Sequence, residues 1–434
     1  WVCCGVVLVL RMLKRFSKSY KLTNKDVFIE KAIKFSSTKK NFVLLNSNDN
    51  AEEFDSLIAY DIESHIESST NSLNKLDDFI KKINDWSFGF LSYDLRNEIE
   101  YLSDNNEDIF KIPNLYFFQP KVIWLLKDGS AKILSKNKEN LMNDWDLINS
   151  FNYEAKDQSL IKLVSRNSKD EYIEKIKGIK DRILKGDCYE MNFCFDMYSH
   201  KSVIDPYETY IKLNNDTRSP MSTFFKVNHL YLISSSPERF LKRDKTKITS
   251  QPIKGTARRG INIKEDKEIA NNLLSNPKEL SENHMIVDLV RNDLSRIANK
   301  GSVKVKDLNT LNTFKRVHQL ISTIQAKIQH DINFSEIIEG IFPMGSMTGA
   351  PKIESMNIID EFESTKRGLY SGSVGYIKPD NDFDFNVVIR SIIYDEISKY
   401  INISVGSAIT FKSDPESEFE ECLIKADPMI KSLK

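Results

Sequence analysis

The chain has 434 residues, with 62 Lys and Arg against 62 Asp and Glu, and is 40% hydrophobic and 29% charged. That length suits two or three average domains or one large folded unit, and that composition excludes a disordered chain. A formal net charge of zero gives no footing for nucleic acid or an anionic membrane as the partner.

Residues 1–10 are apolar and are followed by Arg11, Lys14, Arg15 and Lys18, with the first methionine at Met12. So short an apolar stretch cannot span a bilayer, and a secretory signal carries its basic residues ahead of its apolar part. Residues 1–11 therefore read as a leader of non-native or upstream origin. The cysteines are Cys3, Cys4, Cys188, Cys194 and Cys422. They are odd in number and match no zinc or disulfide spacing, so a reducing, cytoplasmic setting is expected.

Short apolar runs at 42–45, 88–93 and 115–126 read as strands. The polar segment 136–159 sets a boundary between an N-terminal region, 12–155, and a second region, 160–434. There Ser168-Lys-Asp-Glu171 has the form of a capping box. Tyr172, Ile173, Ile176, Ile179 and Ile183 follow at helical spacing, and Gly186 supplies the stop. Next comes strict alternation, with Met191, Phe193, Phe195 and Met197 on one face and Asn192, Cys194, Asp196 and Tyr198 on the other, the mark of a half-buried strand. Further strands are expected at 230–235, 370–377, 384–395 and 400–409, and helices at 265–275, 280–298, 351–363 and 416–432. Runs of adjacent strands interrupted by helices predict an α+β fold with mostly antiparallel sheets.

Several residues could carry chemistry. Glu279 and Glu282 are three apart on one predicted helix, and Glu418 and Glu421 on another, so each pair can present two carboxylates in one direction. Facing helices of this kind would offer hard oxygen ligands to Mg2+. On spacing alone an ordinary solvated face, with Lys425 pairing Glu421, is the stronger reading. Lys254, in Gln251-Pro-Ile-Lys-Gly-Thr256, could be a nucleophile if burial or the nearby Arg258 and Arg259 kept it neutral, or simply a turn lysine. The segment 342–352, Phe-Pro-Met-Gly-Ser-Met-Thr-Gly-Ala-Pro-Lys, runs into a helix and could hold an anion, or be only a structural loop. Glu238 follows Ser234-Ser-Ser-Pro237 at a strand end and could be a general acid if burial raised its pKa. His318, between Val317 and Gln319, reads first as a satisfied core histidine. Arg390, alternating with apolar neighbours, calls for a buried carboxylate partner from protein or substrate.

Taken together, these segments resemble the chorismate-utilising enzyme family, which includes anthranilate, aminodeoxychorismate, isochorismate and salicylate synthases. The matching stretches run in order over about the last 270 residues. They are Gly186-Asp-Cys-Tyr-Glu-Met-Asn192, Ser235-Ser-Pro-Glu-Arg-Phe240, Pro252-Ile-Lys-Gly-Thr-Ala-Arg258, the helix segment 282–293, Val317-His-Gln-Leu-Ile-Ser322, the loop 342–352, Tyr370-Ser-Gly-Ser-Val-Gly-Tyr376 and the segment 414–421 with Lys425. Phe88-Gly-Phe-Leu-Ser-Tyr-Asp94 resembles the family's N-terminal region. The resemblance implies two large antiparallel sheets flanked by helices, with the active site in the cleft between them. It implies Mg2+ held by Glu282 and Glu421, with Glu279 and Glu418 in support. It implies Tyr376, Arg390, Lys425 and the backbone near Gly406 on the substrate carboxylates, His318 and Thr348 beside the ring, and Glu238 protonating the departing C4 hydroxyl. Lys254 resembles the lysine of the aminodeoxychorismate-forming branch, where anthranilate synthases typically carry alanine. The implied route is attack of Lys254 on C2, then of ammonia on C4. Anthranilate or isochorismate synthesis, or a non-catalytic subunit of the same fold, are the alternatives. The sequence departs from the family's glycine-rich turn at Gly406-Ser-Ala-Ile409, where Ser407 and Ala408 are expected to narrow the carboxylate site. No cysteine sits in a Gly-x-Cys-x-Gly elbow, and His65-Ile-Glu67 stands without one, so ammonia is expected from a separate glutamine amidotransferase subunit.

Overall fold

The computed structural model describes residues 15–48, 53–102, 106–156 and 158–434. The leader expected at 1–11, with Cys3 and Cys4, lies outside them. The capping box forms as the sequence predicts: Ser168 Oγ accepts from the Glu171 amide at 3.2 Å, and the Glu171 carboxylate accepts from the Ser168 amide at 2.7 Å. The helix it starts, Lys169–Leu184, ends just before Gly186, whose φ of +88° suits glycine.

Twenty strands form one hydrogen-bonded network among the described residues. It can be followed as two antiparallel sheets that share the long strands Ser56–Ser68 and Leu115–Lys127. A register shift between Ile62 and Ser64 marks where these strands pass from one sheet to the other. On one side the pairing runs through Asn41–Asn46, Met221–Val227, Leu230–Ser236, Ser391–Asp395 and Tyr400–Thr410 to Glu190–Ser199. On the other it runs through Ser87–Leu91, Ser373–Ile377, Phe383–Asn386, Arg239–Asp244 and Lys247–Gln251 to Val317–Lys327, which also pairs with Ile253–Arg258 and Lys304–Thr313. Strands from before and after the polar segment 136–159 thus lie side by side. Within that segment Asn140–Ser150 is a helix, with Trp145 stacked on Tyr20 at 4.2 Å.

Strand alternation divides the apolar residues into three layers. Val43, Phe225, Leu232 and Ile393 of one sheet meet Phe88, Phe90, Val374 and Tyr376 of the other. The outer faces are covered by helices. Lys25–Phe35, Lys169–Leu184, Pro206–Thr217 and Pro415–Ser432 lie on one side, and Ser72–Ile83, Pro277–Ile297 and Phe334–Ile341 on the other.

The expected elements appear with shifted bounds: the strand expected at 88–93 ends at Leu91, and the helix expected at 280–298 begins at Pro277. The strand expected at 370–377 begins at Ser373, because Ser371 adopts a positive φ of 62°. The one expected at 384–395 splits into Phe383–Asn386 and Ser391–Asp395 around Arg390, whose φ of 53° interrupts extended backbone. Arg390 is therefore carried on the break between two strands, not inside one.

Lys352, at the end of the segment 342–352, is buried and donates to Asp293 Oδ2 at 2.6 Å and to the Ile341 carbonyl at 3.0 Å. This pair ties the loop to helix Pro277–Ile297. Lys352→Met should strand a buried carboxylate and destabilise the fold by about 3–5 kcal/mol. Denaturant unfolding checks this, with Lys352→Met/Asp293→Leu expected to recover most of the loss.

Candidate active site

The helix Pro277–Ile297 opens on Asn276, whose side chain caps the Lys278 and Glu279 amides, with Pro277 in its first turn. Helix Pro415–Ser432 opens in the same way on Asp414, which caps Ser417. These starts fix Glu279 and Glu282 on one helix and Glu418 and Glu421 on the other, and all four line one cleft. Lys254 arrives by a different device. Between Ile253 and Thr256 the pairing with Val317–Lys327 gains an extra residue, and Gly255 sits there at φ +88°. A bulge of this kind re-aims side chains, and Lys254 turns into the cleft. A Cβ on Gly255 would also stand 3.1 Å from Glu279 Oε2.

Of the twelve residues singled out from sequence, the cleft gathers Glu238, Lys254, Glu279, Glu282, Arg390, Gly406, Glu418, Glu421 and Lys425. Three lie elsewhere. His318 points away from the cleft, because neighbours on a strand face opposite sides. It is bracketed by Thr313 Oγ1 and Asp266 Oδ1, both at 2.9 Å, as a satisfied core histidine, and Gln319 takes the cleft face instead. Thr348 is fully buried, its hydroxyl donating to the Met344 carbonyl at 3.3 Å, while its neighbours Ser346 and Met347 line the cleft. Tyr376 packs between the sheets on Trp86, with ring centroids 5.6 Å apart, and borders a separate cavity. The tyrosine in the cleft is Tyr370, at the other end of the same motif. Ser407 also departs from expectation. Its hydroxyl pairs with that of Tyr172 at 3.0 Å in the core, so only Ala408 borders the cleft.

The charges are arranged unevenly. Glu238 is buried, and Ser346 Oγ donates to its Oε1 at 2.6 Å. Burial raises its pKa to about 7, against the downward pull of Ser346 and Lys254. Burial likewise raises Glu282 to about 7. Burial also works against ionisation of Glu421, but Lys425, 2.6 Å away, outweighs it and the pKa falls. Lys425 donates as well to the Gly406 carbonyl at 2.8 Å. Arg390 lines the same cleft, and no protein group among the described residues hydrogen-bonds its guanidinium.

Lys254 corrects an expectation. Arg258 and Arg259 turn outward to Glu265 and Asp266 and offer it no positive neighbour. Burial disfavours its charge, yet Glu190, Glu282 and Glu238 more than offset burial, and its pKa is raised. Its Nζ donates to Glu190 Oε1 at 2.7 Å. Glu190, Asn192, Lys278, Gln319, Ser346 and Tyr370 escaped the sequence reading of the site. Strand alternation could have found Glu190, which shares a face with Asn192.

The four helix carboxylates are balanced by lysines. Lys278 lies 3.0 Å from Glu418 and 3.8 Å from Glu282. No group of three or more His, Cys, Asp or Glu side chains able to hold a metal ion is assembled among the described residues. Even so, Glu282 Oε1 is buried without a hydrogen-bond partner, and an all-oxygen donor set of this kind fits Mg2+.

The chain matches the chorismate binding enzyme family over residues 30–431. It is 32% identical to aminodeoxychorismate synthase component 1 of Escherichia coli K12 over 350 residues, which cover 80% of this chain and 77% of that protein. To a probable chloroplastic aminodeoxychorismate synthase of rice it is 36% identical over 332 residues, 75% of this chain but only 36% of the rice protein's length. Among solved structures, anthranilate synthase component I of Streptococcus pneumoniae superposes with a TM-score of 0.76 at 23% identity, covering 90% of this chain and 92% of that one. The menaquinone-specific isochorismate synthase of E. coli gives a TM-score of 0.76 at 15% identity, covering 97% and 94%. These two show the fold, and the match over nearly the whole length shows the family: the chain is a member of the chorismate binding enzymes.

Proposed function

We propose that this chain aminates chorismate at C4 to 4-amino-4-deoxychorismate, the precursor of para-aminobenzoate and folate, using ammonia from a separate glutaminase subunit. The observation that carries this reading is Lys254, aimed by its bulge into the same cleft as Glu238 and Arg390. The likeness to aminodeoxychorismate synthase component 1 supports it. No helix among the described residues is long and apolar enough to cross a membrane. The free thiols of Cys188, Cys194 and Cys422 support a cytoplasmic setting.

Arg390 and Lys425 bind the substrate carboxylates as charge-assisted partners. The Lys254 amine forms a bond to C2, the ring double bonds shift, and the C4–O bond breaks. Glu238, held protonated by burial, gives its proton to the departing hydroxyl, which leaves as water. Ammonia then bonds to C4, the double bonds shift back, and the C2–N bond to Lys254 breaks. Glu282 and Glu421, with Glu279 and Glu418 behind them, would hold Mg2+. When bound, the ion supplies positive charge for the ring carboxylate.

The test is product identification. The purified chain with chorismate, Mg2+ and an ammonium salt should form the C4-aminated product. It should use glutamine only when a glutaminase subunit is added. Anthranilate or isochorismate as the product, or glutamine-driven turnover by the chain alone, would overturn the reading. For the metal, Glu282→Gln and Glu421→Gln should each abolish turnover while the fold remains. A Mg2+ titration at fixed chorismate checks this, and an unchanged Mg2+ dependence in both variants would reject the ligand assignment.

A further inference from the structure

The proposed chemistry leaves one demand unmet, and this inference rests on that reading. Lys254 must present a neutral amine to C2, yet the charges that act on it most strongly are the carboxylates of Glu190, Glu282 and Glu238, which hold its proton. Among the described residues its ammonium group has one hydrogen-bond partner, Glu190 Oε1 at 2.7 Å, and both side chains are shielded from water, at 10% and 2% exposure. Solvent is therefore poorly placed to take the proton.

The other nearby carboxylates are less suited. Glu238 accepts from Ser346 and serves the opposite need, as an acid. Glu282 also keeps an open oxygen, its Oε1 lying 3.8 Å from Lys278, but it makes no hydrogen bond or ion pair with Lys254 among the described residues and is one of the proposed Mg2+ ligands. Glu190 differs from both. It begins the strand Glu190–Ser199, its backbone is paired with Thr410 on one side and Ala350 on the other, and its carbonyl accepts from Ser355 Oγ at 3.3 Å. Its position is thus fixed by main-chain contacts and does not depend on Lys254. Its Oε2 is buried with no hydrogen-bond partner among the described residues. A buried, backbone-anchored carboxylate with an open oxygen can hold a proton as a neutral acid without rearrangement.

We propose that Glu190 is the proton acceptor for Lys254, taking the ammonium proton before the amine attacks C2 and returning it when the lysine is expelled. The bookkeeping closes. Transfer converts the ammonium–carboxylate pair into an amine and a neutral carboxylic acid. The amine lone pair forms the C2–N bond as the C4–O bond breaks, and Glu238 supplies the proton that makes water. When ammonia attacks C4, the C2–N bonding pair returns to Lys254, whose amine recovers a proton from Glu190. The new C4 ammonium group passes one proton to Glu238 and resets the acid. Net consumption is one chorismate and one ammonia, with one water released.

The test uses the whole chain with chorismate and Mg2+ but no ammonia, followed by rapid quench and intact-protein mass. Wild type should accumulate a Lys254 adduct with the mass of chorismate less water. Glu190→Gln keeps the shape and can still accept the hydrogen bond from Lys254, but it cannot take the proton. Its adduct should form about 100-fold more slowly, with KM for chorismate nearly unchanged. Glu190→Asp, which retains a carboxylate at shorter reach, should recover most of the rate and guards against a folding defect in the amide variant. Adduct formation by Glu190→Gln at or above the wild-type rate would overturn the proposal, since a merely structural hydrogen bond survives this exchange. So would a Glu190→Asp rate no better than that of Glu190→Gln. Normal C4 amination by wild type without any adduct would remove the covalent route and this inference with it, whereas absence of C4 amination in wild type would remove the proposed function itself.

Discussion

Lys254→Ala is expected to lose C4 amination by on the order of 10³-fold or more, the scale seen when a nucleophile is deleted from a group of residues that act together. The variant removes the buried amine and leaves Glu238, Arg390 and Lys425 where they are, so chorismate should still bind. With no covalent route, ammonia can attack only from the C2 side, and residual product should carry nitrogen at C2. Lys254→Arg should give no rescue. A guanidinium stays charged at any working pH and cannot form this bond. It would also bring a larger cation against Glu190. Chromatographic separation of C2- and C4-aminated products from wild type and both variants checks the prediction. Near-normal C4 amination by Lys254→Ala would reopen the choice among the sister activities of the family.

Glu238→Gln should lower kcat by about 10²–10⁴-fold, the range for loss of a positioned general acid, with a small change in KM. The pH dependence has a definite sign. The working form of Glu238 is protonated, and its pKa is raised by burial to about 7. Wild-type activity should therefore fall as pH rises through about 7, and the residual activity of the variant should lack that limb. The same shift bears on stability. A carboxyl whose folded pKa is raised contributes stability that is full at acidic pH and is lost as pH rises through the folded value. From the ordinary value of 4.5 to about 7, this loss is on the order of 3 kcal/mol. Glu238→Gln should then be more stable than wild type above pH 7 and close to it near pH 5. Denaturant unfolding at the two pH values measures the gap. A variant that is both slower and sturdier at high pH is the signature of a group buried for function.

What the sequence determined by itself was local or periodic. The capping box at Ser168, the helix after it and the alternating strand 191–198 depend on neighbours a few residues away, and each appears in place. The carboxylate pairs Glu279/Glu282 and Glu418/Glu421 were legible for the same reason, since helical spacing alone puts each pair on one face. The ordered family motifs implied a common site for Glu238, Lys254 and Arg390, and these three line one cleft. The tertiary structure decided which member of a motif faces that cleft. In Val317-His-Gln319 the strand face selects Gln319 over His318, and in the segment 370–376 the late strand start selects Tyr370 over Tyr376. A motif fixes neighbourhood to within a residue or two, but on a strand one residue is the difference between opposite faces. The charge state of Lys254 was likewise beyond the sequence. Its nearest cations along the chain, Arg258 and Arg259, fold outward, and the carboxylate it meets comes from Glu190, 64 positions away. Ionisation depends on distance through space and on burial, and only the folded chain sets these.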